Sequence, residues 1–174
     1  MQPPSRSARR AAWWVAAALL ACAGAGGHAQ GSASAAGPGP FANMSGSWSG
    51  AGVITLSSGS RERIRCRATY AAAEGGNTLS LALRCASDSY KFELRGNAVH
   101  DNGGITGTWS EATRNAAGQI IGKVSGNQIQ ARTDGQTFAA LLSMSTQGNR
   151  QSISIRSPGS EMSDVTISLS RGSN

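Results

Sequence analysis

The sequence predicts an all-β domain: an antiparallel up-and-down meander of about 8–10 strands that closes into a barrel and carries one disulfide. The chain of 174 residues holds 23 glycines, and only 14% of its residues are charged. Apolar residues recur at every second position within short segments, which is typical of half-buried strands. Gly, Asn or Asp separates these segments at regular intervals, which indicates a barrel or a sandwich.

The segment 61–87 predicts a β-hairpin. Both arms alternate, and Glu74-Gly-Gly-Asn77 supplies turn residues between them. Centring the hairpin there sets Cys66 opposite Cys85. A two-residue turn at Gly75-Gly76 would place them at the wider, hydrogen-bonded kind of antiparallel pair, and a four-residue turn over 74–77 would place them at the closer kind. No second Cys/His pair stands at metal-ligand spacing, so we expect a disulfide rather than a metal site, and no cofactor.

Nine successive turns keep apolar residues facing apolar residues, because a slip of one residue would reverse the faces of a strand. Three of these turns are placed at 58–60, 115–118 and 134–135. The short connections favour a meander, and a tenth strand would lie antiparallel to the first and close the barrel. An open sandwich is the alternative. The predicted pairs are Ile54–Ile64, Cys66–Cys85, Cys85–Phe92, Gly96–Trp109, Trp109–Val124, Val124–Ile129, Ile129–Ala140, Met144–Ile153 and Ile155–Val165.

Residues 1–29 predict a secretory signal peptide. Three arginines precede an apolar stretch that is too short to span a membrane. Two cleavage sites are compatible with it. One follows Ala29, and the other precedes Cys22, where Leu19-Leu-Ala-Cys22 resembles a lipobox and Cys22 would carry a lipid.

The remaining chain predicts a flexible tether over residues 30–45, rich in Gly, Ala and Ser, followed by a single barrel domain over 46–174. We therefore expect an exported protein, located in the periplasm, at the outer membrane or outside the cell. A lipid on Cys22 would be its only attachment to a membrane.

The sequence provides little support for catalysis. The one histidine beyond the predicted leader, His100, stands beside Asp101 at a turn. No nucleophile motif accompanies it, although acyl transfer needs a positioned nucleophile, a base and an oxyanion hole. We expect a protein that binds and is not an enzyme.

The inward-facing residues are predominantly apolar, and two interpretations stay open. These side chains either fill the barrel or line a pocket for a small apolar ligand, with Glu111 as a polar handle at its mouth. The candidate ligand-binding residues are Trp48, Tyr70, Phe92, Trp109, Glu111 and Phe138.

A basic stripe is predicted on the outer face. It is either an ordinary solvated surface or a contact for an anionic surface such as lipid head groups or acidic polysaccharide. Nucleic acid is not expected, because no aromatic stacking platform accompanies the stripe. The basic residues are Arg63, Arg65, Arg67, Arg84, Lys91 and Arg95.

Gly46-Ser-Trp48 opens the first strand, and Gly107-Thr-Trp109 repeats the triplet. These triplets resemble the Gly-x-Trp start of the calycin group, the lipocalin and avidin-type barrels. The resemblance covers two tripeptides and the meander pattern, and it implies a secreted barrel that binds a small molecule. The alternative function is an interaction or structural module, or a protease-inhibitor-like protein, that uses the basic stripe or the segment 41–44.

Overall fold

The computed structural model of the protein describes residues 37–135 and 139–172. It shows ten antiparallel strands in a closed barrel, in which each strand pairs with its sequence neighbours and the last pairs with the first. The predicted fold class and closure are confirmed. The strands are β1 (Gly46–Leu56), β2 (Arg61–Ala73), β3 (Thr78–Ala86), β4 (Lys91–Asp101), β5 (Gly104–Glu111), β6 (Ala116–Ser125), β7 (Gln128–Gly135), β8 (Ala139–Gln147), β9 (Arg150–Arg156) and β10 (Met162–Arg171).

The hairpin of β2 and β3 forms as predicted around a turn at Glu74–Gly76. Cys66 lies opposite Cys85 with their Cα atoms 4.1 Å apart, and the two residues form the disulfide. This separation corresponds to the closer, non-hydrogen-bonded kind of antiparallel pair. Both cysteines are buried, so the disulfide joins two strands within the barrel core.

The predicted register is correct at five further interfaces. At each of these interfaces the chain reverses at the predicted turn, which contains Gly, Asn, Asp or Pro. The confirmed pairs are Cys85–Phe92, Gly96–Trp109, Val124–Ile129, Met144–Ile153 and Ile155–Val165.

Two registers were wrong because the chain turns earlier than predicted. Ile54 lies opposite Glu62 instead of Ile64, since the backbone N–H of Leu56 already donates to the carbonyl of Ser60 across a tight turn. Trp109 lies opposite Gly118 instead of Val124, because β6 begins at residue 116, within the predicted loop.

A third register was wrong because a turn signal lies inside a strand. Ile129 pairs with Met144 instead of Ala140, since β7 continues through Asp134 and Gly135, where the turn was predicted. All three shifts are by an even number of residues. The inward-facing set is therefore preserved, as the period of two requires.

The end of the barrel where β1 begins, here called the closed end, is filled by the segment 39–44. The N–H of Gly39 donates to the carbonyl of Gly75 at 2.9 Å, and the N–H of Phe41 donates to that of Gly76 at 3.0 Å. The side chains of Phe41 and Met44 are each only 1% exposed. The region predicted as a tether thus includes a packed segment, and the packed body begins before β1.

Two aromatic residues of the barrel wall complete the closed end. The indole Nε1–H of Trp48 donates to the carbonyl of Met44 at 2.8 Å, and the guanidinium of Arg171 stacks on the same ring at 4.7 Å. The buried hydroxyl of Tyr70 donates to Oε1 of Gln151 at 2.6 Å. Burial raises the pKa of Tyr70.

Three of the predictions concern residues outside the described ranges. These are the signal peptide with its alternative lipidation site at Cys22, the first part of the tether, and Phe138. Within residues 37–135 and 139–172, no helix has the length and apolar character needed to cross a membrane.

Candidate functional site: an apolar cavity in the barrel

A cavity of about 350 Å³ lies inside the barrel, toward the end opposite Phe41. This end, here called the mouth, is formed by the turns 57–60, 87–90, 112–115 and 157–161. A cavity of about 150 Å³ suffices to bind benzene, and pockets for drug-sized ligands measure about 300–1,000 Å³. The walls are formed mainly by apolar side chains, among them Leu81, Leu83, Phe92, Leu94, Leu142 and Val165.

Trp109 forms part of the cavity wall, and a glycine lies beside it on each neighbouring strand. Gly96 of β4 and Gly118 of β6 are its register partners. A Cβ atom at Gly118 would lie 1.8 Å from the carbonyl oxygen of Asp134 and 2.8 Å from the indole Nε1, whereas a Cβ at Gly96 would have no atom closer than 3.6 Å. Gly118 therefore allows both the backbone of β7 and the indole of Trp109 to approach β6 closely.

The structure brings together three of the six predicted ligand-binding residues. Phe92, Trp109 and Glu111 line the cavity. Trp48 and Tyr70 do not line it, because they pack at the closed end, with their ring centroids 6.2 Å apart. Strand alternation assigned both residues to the interior correctly but does not distinguish one end of the barrel from the other.

Glu111 holds the turn between β5 and β6. Its carboxylate accepts from the backbone N–H groups of Glu93 (2.9 Å), Thr113 (3.1 Å) and Arg114 (2.9 Å), and from the hydroxyl of Thr113 at 2.7 Å. Three of these contacts fall on Oε1 and one on Oε2, so both oxygens of the carboxylate are engaged within the protein. The residue predicted as the ligand handle thus acts as a structural clamp, which also explains why the chain turns earlier than predicted.

Arg114 is the polar residue at the mouth that sequence reasoning missed. Its guanidinium lies 4.8 Å from the centroid of the Phe92 ring and 3.6 Å from Oε2 of Glu111. Nη1 donates to the carbonyl of Lys91 at 3.4 Å, and Nη2 faces the sulfur of Met162 at 4.0 Å. A thioether is a weak acceptor, so a polar group of a bound molecule can take its place.

The turn between β9 and β10 supplies the rest of the polar rim. The hydroxyl of Tyr90 donates to Oε1 of Glu161 at 3.0 Å, and this hydrogen bond raises the pKa of Tyr90. The hydroxyl of Ser160 donates to the carbonyl of Met162 at 2.6 Å. The mouth is therefore polar at its rim and apolar immediately below it, as is usual for small-molecule pockets.

The pKa of Glu111 reflects two opposing effects. Burial raises it, but the hydrogen bonds from Glu93, Thr113 and Arg114 stabilise the ionised form and hold the pKa below its ordinary value of 4.5. The folded state therefore binds a proton at the Glu111 carboxylate less readily than the unfolded state does. The resulting stabilisation is fully present above pH 4.5 and is lost as the pH falls through the folded pKa.

We expect Glu111→Gln to lower the free energy of unfolding by about 1–3 kcal/mol at pH 7, because an amide cannot accept all of these hydrogen bonds. The difference from wild type should shrink in acid, where Glu111 itself is protonated. Thermal unfolding of both proteins across acidic and neutral pH measures this. A pH-independent difference would contradict the assignment of an ionised clamp.

His100 lies near the end of β4, beside the turn to β5. Its Nδ1 lies 3.1 Å from Oδ1 of Asn77, and the N–H of Gly103 approaches its Nε2 at 3.2 Å. Both ring nitrogens thus contact groups of the protein. In the part of the chain that the structure describes, no three His, Cys, Asp or Glu side chains gather as a metal site would require.

All six residues of the predicted basic stripe are exposed on the outer face of β2, β3 and β4. Arg84 lies opposite Glu93, but the carboxylate of Glu93 pairs with Lys91 at 3.0 Å instead. That pair lowers the pKa of Glu93, with a smaller contribution from Arg84.

No family model matches the chain, and no curated protein matches it. Among solved structures, the fold is similar to that of Rv2717c from M. tuberculosis, with a TM-score of 0.58 and 18% sequence identity. The match covers 75% of this chain and 94% of that protein. At this identity the likeness shows the fold alone, a ten-stranded antiparallel barrel, and the calycin-type resemblance stays a prediction.

Proposed function

We propose that this chain is an exported, non-enzymatic envelope protein that binds a small, largely apolar molecule inside its barrel. The observation that carries this proposal is the cavity of about 350 Å³ with apolar walls. Transfer of apolar surface from water into such a site contributes about 25 cal/mol per Å², so an enclosed ligand gains most of its affinity from burial.

We expect a ligand to enter the cavity through the mouth. Phe41 and Met44 fill the closed end, whereas Arg114 at the mouth lines the cavity and keeps 42% of its side chain exposed. The ligand that best suits these walls is apolar over most of its length and carries a hydrogen-bond acceptor that reaches Arg114. Since Phe41 and Met44 are buried, the alternative in which the segment 41–44 contacts a protein partner receives no support from these side chains.

Export is supported by the residue pattern of the leader and by the disulfide. Disulfides persist mainly in oxidising compartments, and Cys66 and Cys85 form one here. An envelope location would also give the protein access to apolar molecules that move between membranes and water.

The proposal is tested by binding of the apolar dye Nile red to the purified barrel domain. We expect saturable binding of one dye per chain, with enhanced dye fluorescence, and displacement by small apolar molecules. Fluorescence that rises without saturation, or only on unfolding of the protein, would show that the folded barrel offers no site.

A further inference from the structure

Two arginines lie directly opposite each other on the outer face of the barrel. Arg67 of β2 is the register partner of Arg84 of β3, next to the disulfide pair. Like charges at directly opposed positions destabilise an antiparallel sheet. Folding alone therefore gives no reason for this arrangement.

No carboxylate of the described residues forms an ion pair with Arg67 or Arg84, although Glu93 interacts with Arg84 at longer range. Among the described residues, none of the ion pairs within 4.0 Å involves Arg63, Arg65, Arg67, Arg84 or Arg95. The carboxylate of Glu93 is the nearest candidate by register, and it pairs with Lys91. The guanidinium groups remain available to an external anion.

The charge of the barrel is concentrated on this surface. Residues 37–174 contain 13 basic and 9 acidic side chains, a net charge of +4. The arginine face, defined as Arg63, Arg65, Arg67, Arg84, Lys91 and Arg95, contributes six of these cations, and Glu93 is the one acidic residue among them. The remainder of the barrel is therefore slightly acidic, and the molecule is electrostatically polarised.

The spacing and the convex shape of the arginine face bear on the kind of anionic partner that it can bind. Its side chains repeat about every 6.6 Å along a strand and about 4.8 Å between strands, on the convex outside of the barrel. Small outward residues, Ala51, Ala82 and Ala86, lie between the arginines. Two of the three large apolar residues that the structure exposes, Ile121 and Leu141, lie on β6 and β8, and the third, Val99, lies on β4 beyond Arg95.

We propose that the arginine face docks the barrel onto an anionic lipid bilayer through the phosphates of its head groups. Guanidinium forks bind phosphate oxygens in bidentate fashion, and mobile head groups can gather around a fixed convex array. Lys91 belongs to this face and its carbonyl accepts from Arg114 at the mouth. Docking would therefore bring the cavity entrance toward the membrane, although the inference does not depend on the cavity.

The test compares Arg67→Ser/Arg84→Ser with Lys123→Ser/Arg150→Ser in the barrel domain without its leader. The control removes two exposed cations from β6 and β9 and leaves the arginine face intact. Co-sedimentation uses vesicles of phosphatidylglycerol and phosphatidylcholine, and vesicles of phosphatidylcholine alone. Each basic residue near an anionic membrane contributes roughly a fivefold factor, so the first variant should bind the mixed vesicles about 25-fold more weakly than wild type.

Wild type should bind only the anionic vesicles, and added salt should release it. The control should bind like wild type, within about threefold, because its lost cations face away from the bilayer. The melting temperature of Arg67→Ser/Arg84→Ser should rise by about 1–4 °C, since the like-charge pair is removed. Equal losses in both variants would overturn the proposal, as would retention on an acidic polysaccharide such as heparin without any vesicle binding.

Discussion

Replacing Leu142 by Trp should weaken binding of an apolar ligand at least tenfold. Leu142 lines the cavity, and a larger ring there occupies space that the ligand needs. Misfit of even one methylene group in an apolar pocket changes affinity by roughly 10–200-fold. The measurement is a Nile red titration of the variant beside wild type, with melting temperatures recorded to confirm that both are folded.

The neighbouring residue provides a matched control for this experiment. Leu141 is adjacent on β8 but points outward and is 56% exposed. Leu141→Trp adds the same ring to the outside of the barrel and should leave the affinity unchanged. Equal weakening in both variants would mean that the dye binds the outer surface, and unchanged affinity in Leu142→Trp would mean that the ligand site is not this cavity.

Removing the disulfide should destabilise the protein by about 2–5 kcal/mol, and lower its melting temperature by on the order of 10 °C. The crosslink joins residues separated by 19 positions and restricts the unfolded chain. Ala at both Cys66 and Cys85 is the appropriate change, because both positions are buried and Ala introduces no polar group.

Chemical denaturation of Cys66→Ala/Cys85→Ala and of wild type gives this difference directly. The single variant Cys66→Ala should lose a similar amount, since either change removes the crosslink. A double variant as stable as wild type would show that the pairing of β2 and β3 needs no covalent support, and that the packing around Tyr70 and Ile64 is sufficient.

The sequence was informative about faces and less so about registers. Alternation with a period of two assigned Ile54, Trp109 and Ile129 to the interior, and all three lie there. Their cross-strand partners depend on where the chain turns, and alternation permits any even shift. Turn residues predict the reversal of the chain correctly at Asn102-Gly103. The same kind of signal is wrong at Asp134-Gly135, because β7 continues through both residues.

The candidate site was less predictable because it depends on contacts across the barrel. Glu111 was identified as the inward polar residue, but its role depends on hydrogen bonds to Thr113 and Arg114, which require the correct turn. Phe41 and Met44 fall within residues 30–45, which the composition of small residues predicts to be a tether. Both side chains are buried in the structure. Two large apolar residues within a segment of small residues therefore indicate a packed segment rather than a tether.

Native mass spectrometry of the protein purified from its own host envelope tests whether the barrel interior holds a small apolar molecule. We expect a mass above that of the chain with one disulfide, with a single retained small molecule that is lost in Leu142→Trp and kept in Leu141→Trp. A protein that is always empty, and that takes up no apolar molecule offered to it, would show that the cavity is not a ligand site.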